Sequence, residues 1–309
     1  MIKIFALHAN ENWICDSIVH DWNSHNSTIV TSNPIEADII WLVASWLWYT
    51  IHPDILKQKK VVVTVHHIDN EKFNLQDFMN RDQYVDAYHV YDELTERKVK
   101  MLSNKPVYKI MYWYNPNNWS YPDVDCRADL NLPNDVKIIG SFQRDTEGFD
   151  LKTPKLSKGP DLFCDYVESL DNVRVLLGGW RRQYIINRLD KAGIPYNYFE
   201  MADRGTLIKM YKSCDLYVVS SRCEGGPQAV IEASLLKVPI ASTDVGIASE
   251  VLHPECINTE AKFDNIEKYK KYVDFNYNNI LNYNIEIQKQ TYIEMFEYVK
   301  KAGKQLWTI

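Results

Sequence analysis

The sequence predicts an α/β chain made of two doubly wound, largely parallel sheets in succession. Three observations carry this. Short runs that are apolar at every position, such as Val61-Val62-Val63-Thr64-Val65, recur along the chain and mark strands covered on both faces. Helical patterns alternate with them in the rhythm of βαβ units. Residues 114–133, crowded with Asn, Pro and Asp, interrupt that rhythm and read as a linker. At 309 residues the chain is long enough for two domains of ordinary size.

In order, strands are expected at residues 2–7, 29–31, 38–43, 61–65, 85–90 and 107–111, with a helix at 13–22. After the linker the same rhythm restarts. Strands are expected at 136–142, 173–177, 196–199, 216–220 and 239–242, and helices at 160–170, 182–192, 206–212 and 228–236. Residues 265–275 and 285–302 read as helices. The expected division is 1–117 for the first domain, completed by 284–309, and 118–283 for the second. In such sheets ligands bind at the carboxyl ends of the strands, so the residues just after each strand carry most of the information.

Composition narrows the function classes. Apolar residues at 46% and charged residues at 25% belong to a soluble globular chain and not to a disordered one. The 35 Lys and Arg against 41 Asp and Glu leave a net charge of −6, which argues against a broad basic face for nucleic acid. The six cysteines are scattered without a C-x-x-C pair, so neither a disulfide framework nor a zinc knuckle is expected. Cys164 and Cys214 read as small core residues. With no signal peptide visible at the start, the reading is a reducing cytosol. The longest apolar run, 39–51, is too short to span a bilayer. Trp41, Trp46 and Trp48, with Lys57, Lys59 and Lys60 nearby, admit two readings: peripheral membrane contact, or a packed strand and its loop.

The most informative stretch runs from Ser220 to Ala233. A buried strand ends at Ser220, and a loop with two glycines leads into a helix. Pro227 suits the first helical turn, because its missing N–H would have been unpaired there. Gly225 and Gly226 let backbone approach a ligand. The helix start offers N–H groups and a positive dipole end to a phosphate. Glu224 precedes that start and Glu232 lies inside the helix. Two carboxylates around a phosphate site are poorly explained by anion binding alone, and sugar hydroxyls are their natural donors.

On these residues the chain resembles the retaining GT-B glycosyltransferases of family 4, whose E-x7-E signature matches Glu224 to Glu232. The resemblance continues through Lys237-Val238-Pro239-Ile240-Ala241 and Asp244-Val245-Gly246, ending near Glu250. Upstream it takes in Gly140-Ser141-Phe142-Gln143-Arg144-Asp145, Pro154-Lys155 and Lys158-Gly159-Pro160-Asp161. It is good over about 136–250 and weak over the first 115 residues.

What the resemblance implies is specific. The fold would be GT-B: two Rossmann-like domains facing a central cleft, with a C-terminal helix crossing back to the first. The reaction would be transfer of a hexosyl group from a UDP- or GDP-sugar to a hydroxyl of a saccharide, lipid-linked or other acceptor, with retention at the anomeric carbon. No metal and no cofactor beyond the nucleotide sugar would be needed. Glu232 would hold the ribose hydroxyls and Glu224 the donor sugar. Gly225, Gly226, Pro227 and Gln228 would line sugar and diphosphate. Arg144 and Lys158 would neutralise the diphosphate, whose charge grows as the glycosidic bond breaks. The base would lie near residues 199–201, Met201 among them. A His at the end of the strand 61–65 would contact the donor sugar; matching Thr-Val-His makes this His66, and a slip of one residue would make it His67.

The sequence departs from the family pattern in three places. Ser141 stands where an Arg follows the strand glycine, the Gly-Gly loop after the first strand is replaced by Ala9-Asn10-Glu11-Asn12-Trp13, and the chain is short for the fold, which implies a trimmed acceptor domain. Two competing functions share the donor pocket: a GT-B nucleotide-sugar epimerase and a non-catalytic nucleotide-sugar-binding protein. Asp123-Val124-Asp125 has the form of a metal motif, but its place in the linker argues against that role. Arg181 and Arg182 read as a solvated helix start, with phosphate contact as the alternative.

Overall fold

The computed structural model describes residues 1–11, 14–259 and 262–302. They form two compact units: Met1–Asn115 joined by the chain from Tyr283 onward, and Pro116–Asn282. The sequence places these breaks after residues 117 and 283, the structure after Asn115 and Asn282.

The first unit contains β1 (Ile4–Leu7), α1 (Ile14–His25), β2 (Ile39–Leu42), α2 (Pro53–Gln58), β3 (Lys60–Val65), α3 (Leu75–Asp82), β4 (Ala87–Val90), α4 (Glu93–Leu102) and β5 (Val107–Lys109). All neighbours pair in parallel, in the order β1-β2-β3-β4-β5. The strand expected at 29–31 shrinks to one parallel bridge, Ile4 with Val30, on the edge of β1 away from β2. Turn-forming residues crowd it from both sides, Asn26-Ser27-Thr28 before and Ser32-Asn33-Pro34 after, so one residue is left to pair. Trp13, where the first helix was expected to begin, lies outside the described residues.

The second unit contains β6 (Lys137–Ser141), β7 (Thr146–Glu147), β8 (Thr153–Pro154), α5 (Pro160–Glu168), β9 (Val173–Gly178), α6 (Gln183–Ala192), β10 (Tyr196–Phe199), α7 (Arg204–Lys212), β11 (Leu216–Val219), α8 (Gln228–Leu235), β12 (Ile240–Thr243), α9 (Ala248–Val251), β13 (Ile257–Asn258), α10 (Ile266–Lys270) and α11 (Val273–Ile280). Its main sheet is parallel in the order β10-β9-β6-β11-β12-β13. Numbered within the unit this is the 3-2-1-4-5-6 order, which reverses direction between β6 and β11. β7 and β8 form a separate antiparallel pair. The helix expected at 265–275 is two helices, α10 and α11, broken at Lys271 and Tyr272.

From Tyr283 the chain rejoins the first unit. Tyr114 donates to the Tyr283 carbonyl at 3.0 Å and accepts from Ile285 at 2.9 Å. α12 (Ile285–Lys301) then packs on α1 and β3. Its Tyr292 and Phe296 enter an aromatic core with Trp22, Trp41 and Trp113, whose ring centroids lie 4.9–6.3 Å apart in mostly tilted or edge-on pairs. Trp41 is thus a core residue, its indole N–H donating to Thr64 Oγ1 at 2.9 Å. Trp48 donates to Asp77 at 3.1 Å, while Trp46 and Tyr49 stay exposed. No described helix is long and apolar enough to cross a membrane. All six cysteines are free, five of them buried.

Candidate functional site

The carboxyl ends of β6 and β11 flank the point where the second sheet reverses direction, which is where such sheets bind ligands. β11 is fully buried and delivers Ser220 and Ser221, themselves buried, to that edge. The following loop is fastened to the turn 156–158. Arg222 and Cys223 donate their backbone N–H groups to the Ser157 carbonyl at 2.8 and 3.1 Å, and the Arg222 guanidinium forks onto both Asp161 oxygens at 2.7 and 2.6 Å. Ser220 Oγ donates to the Lys158 carbonyl at 3.2 Å.

Two glycines permit this closeness. Gly159 has φ +58°, and a Cβ there would lie 1.8 Å from the Ser220 carbonyl oxygen. Gly246 has φ +53°, and its Cβ would lie 2.0 Å from the Gly225 oxygen, which accepts Ile247 N–H at 2.9 Å. The segments 156–161, 220–225 and 244–247, distant in sequence, thus form one interlocked edge.

Within this edge Lys158 Nζ is paired with Glu224 Oε1, which also accepts from Ser221 Oγ at 3.0 Å. Gln143, just past β6, donates from Nε2 to the Lys158 carbonyl at 3.0 Å, and its Oε1 lies 3.3 Å from Ser221 Oγ. Both members of the ion pair are largely buried, with side-chain exposures of 20% and 10%. Partial desolvation of this kind strengthens a pair only where further hydrogen bonds satisfy it, as they do here.

Pro227 is the residue before α8 and not its first turn, which begins at Gln228; the missing N–H argument survives the shift of one position. Pro227, at the N-cap, offers no side-chain cap. Glu232, on the second turn, accepts from the Tyr211 hydroxyl at 2.8 Å. Burial pushes its carboxyl up to about 7, against the opposing pull of that hydrogen bond and of Arg204. Phe142, Tyr211 and Tyr217 pack beside it, with ring centroids 4.8–5.1 Å apart.

Arg144 is engaged with other partners than the Lys158–Glu224 pair. Its Nε donates to the Thr146 carbonyl at 3.1 Å, and its guanidinium lies 5.0 Å from the Trp180 ring centre, as does that of Arg181. Arg182 corrects the sequence reading most sharply. It is not a solvated helix start but fully buried, paired with the buried Asp145 and bonded to the Ser141 and Gly178 carbonyls. Met201 is exposed, in a left-handed conformation, two residues beyond β10.

In the first unit, His66 follows β3. Its Nε2 donates to the Val43 carbonyl at 2.8 Å and lies 3.6 Å from Cys15 Sγ, and Tyr91 meets the ring edge-on at 5.2 Å. That bond leaves Nδ1 as the acceptor nitrogen. Burial holds His66 down at about 4. His67 is exposed. Asp123 pairs with Lys212, and Asp125 accepts the Arg127 backbone N–H at 2.8 Å. No cluster of His, Cys, Asp or Glu able to hold a metal ion occurs among the described residues.

Known structures share this fold. The chain aligns with Anabaena HepE, solved with UDP and glucose, at TM-score 0.79 and 13% identity over 96% of this chain and 100% of that one. The fold is GT-B. Two further GT-B relatives align similarly. One is sucrose-phosphate synthase from Thermosynechococcus elongatus, with TM-score 0.71 and 16% identity over 92% of this chain and 78% of that one. The other is a glycosyltransferase from Rickettsia africae, with TM-score 0.64 and 15% identity over 96% and 85%. Residues 153–284 match the family model described as Glycosyl transferases group 1, a span that holds Lys158, Glu224 and Glu232. No curated protein matches the sequence.

Two residues of the GT-B edge were not singled out by the sequence, Gln143 and Ser221. Both lie inside quoted segments. Their signal is spatial: each meets its partner from a different strand end, which spacing along the chain does not encode.

Proposed function

We propose that this chain is a retaining glycosyltransferase that moves a hexosyl group from a nucleotide diphosphate sugar to an acceptor hydroxyl without a metal. The observation that carries this reading is the Lys158–Glu224 pair, whose glutamate lies just ahead of α8 in the chain, at the reversal point of the second sheet. It lies within the span that matches the group 1 glycosyl transferases. The HepE structures, solved with UDP and glucose, with UDP and with UDP-glucose, favour a UDP-sugar as the first donor to test, with a GDP-sugar next.

The residues supply the chemistry as follows. The α8 start and Lys158 receive the diphosphate, and Lys158 stabilises the charge that accumulates on it as the glycosidic bond breaks. Glu224 takes hydroxyls of the donor sugar and Glu232 those of the ribose. Gly225, Gly226, Pro227 and Gln228 line the diphosphate and sugar, and Met201 borders the base. His66 offers Nδ1 to a saccharide hydroxyl. Arg144, engaged with Thr146 and Trp180, contributes positive charge. Acceleration rests on orientation and leaving-group stabilisation, with the acceptor hydroxyl attacking the face the diphosphate leaves and a donor phosphate oxygen taking its proton. No protein nucleophile is assigned.

A thermal-shift screen against UDP, GDP, ADP and their sugars tests the donor assignment. A ligand at about 100 times its Kd should stabilise the fold by about 2.7 kcal/mol. With an acceptor in hand, Glu232→Ala should raise donor KM and Lys158→Ala should depress kcat. Unchanged kcat/KM in both variants would refute the site. An epimerised sugar with no transfer product would favour the epimerase instead.

A further inference from the structure

Four residues close a ring at the edge of the second sheet. Gln143 Nε2 holds the Lys158 carbonyl at 3.0 Å, Gln143 Oε1 faces Ser221 Oγ at 3.3 Å, Ser221 Oγ faces Glu224 Oε1 at 3.0 Å, and Glu224 Oε1 is paired with Lys158 Nζ. A serine hydroxyl has one proton, and here it confronts two acceptors. The carboxylate is the nearer, and a hydrogen bond to an ionised oxygen is about twice as strong as a neutral one. The Ser221 proton therefore belongs chiefly to Glu224. The Gln143 amide is then fixed from its nitrogen end, where it joins Ser220 Oγ in gripping the backbone of Lys158. Ser221 is buried and Gln143 half-buried, which shields the first bond from bulk water and the second in part.

The ring thus splits into two duties. On the donor-binding reading above, from which this follows, we infer that Ser221 and Gln143 are positioning residues with separable effects. Ser221 orients the Glu224 carboxylate for the donor's sugar. Gln143 holds the turn that aims Lys158 at the diphosphate. As the Lys158 ammonium turns to a bound diphosphate, its attraction for Glu224 weakens, and Ser221 stays as a donor that keeps the carboxylate facing the sugar.

The test titrates wild type, Ser221→Ala and Gln143→Met calorimetrically with a nucleoside diphosphate and with its hexose conjugate. The pair used is whichever of UDP with UDP-glucose, GDP with GDP-mannose or ADP with ADP-glucose binds the wild type. Melting temperatures are recorded alongside. Ser221→Ala should leave the Kd of the bare nucleotide within about twofold and reduce the gain conferred by the sugar about tenfold. Gln143→Met should weaken both ligands by a common factor of about ten and leave the sugar's gain intact. Ser221→Cys keeps the volume with a weak donor, and should reproduce the alanine result if the alanine variant melts early.

Variants that behave alike, a sugar gain that survives Ser221→Ala, or a wild type for which the sugar adds nothing would each overturn the inference. If no pair binds the wild type, the donor-binding reading has failed and takes this one with it. If a pair binds and neither variant responds, only this inference falls.

Discussion

Glu232 is poised to change charge near neutrality. Its carboxyl sits at about 7 in the fold against an ordinary 4.5, because burial penalises the charged form. Between those values the native state holds a proton that the unfolded chain has lost, so stability should fall as pH rises from about 4.5 to about 7 and level off above. Glu232→Gln should remove that slope, which melting curves across the range would reveal. Ribose hydroxyls pair best with the ionised form, so donor affinity of the wild type should instead improve through the same window. His66 behaves oppositely: held at about 4, it stays neutral in the working range. An NMR titration should find no protonation of its ring above about pH 5, and a ring that titrates near 6.5 would contradict its assigned environment. The Arg182–Asp145 pair is almost fully buried, so removing one partner strands a charge. Arg182→Met should destabilise by about 3–5 kcal/mol, measurable by urea unfolding.

The segments around the site owe their placement to the two left-handed glycines that let one backbone lie on another. Gly159→Ala combines a disfavoured φ with a Cβ forced into the Ser220 carbonyl, and should cost at least about 2 kcal/mol while moving Lys158 away from Glu224. A fall in kcat larger than that of a stability-matched core variant would separate the two effects. The Lys-Gly-Pro-Asp and Glu-Gly-Gly-Pro runs were legible because both are short, punctuated by glycine and proline, and lead into a helix, the second soon after the apolar strand β11. β3 and β11 could be read because their residues are almost all apolar and buried. The two-residue strands β7, β8 and β13 could not, since no periodicity develops over two positions. Nor could the burial of Arg182, whose partner lies 37 positions away. A charged pair next to glycines looks the same in sequence whether it faces water or is clamped by carbonyls.

Over the whole chain, the parallel sheets and their Asn/Pro joint were visible in composition and pattern. The linker nevertheless belongs to the second unit, because its residues bond there: Asp123 to Lys212, and Arg127 to Asp215 at 2.8 Å. The first unit depends on α12, whose Tyr292 and Phe296 complete a cluster of three tryptophans. Phe296→Ala should cost about 3–5 kcal/mol. Residues 116–282 expressed alone should melt cooperatively and, on the proposed function, be stabilised by the same nucleotide as the full chain. Residues 1–115 alone should lack a cooperative transition by calorimetry.

That dependence sets an order of events during translation. At about 5–20 residues per second, the ribosome needs roughly ten to thirty seconds to pass from Asn115 to Tyr283. Through that interval the nascent sheet β1–β5 waits with its tryptophan surface uncovered, and the later-made unit is complete before α12 arrives. The part synthesised earliest is finished last, and it is there that a trigger factor or holdase would find its longest-lived target.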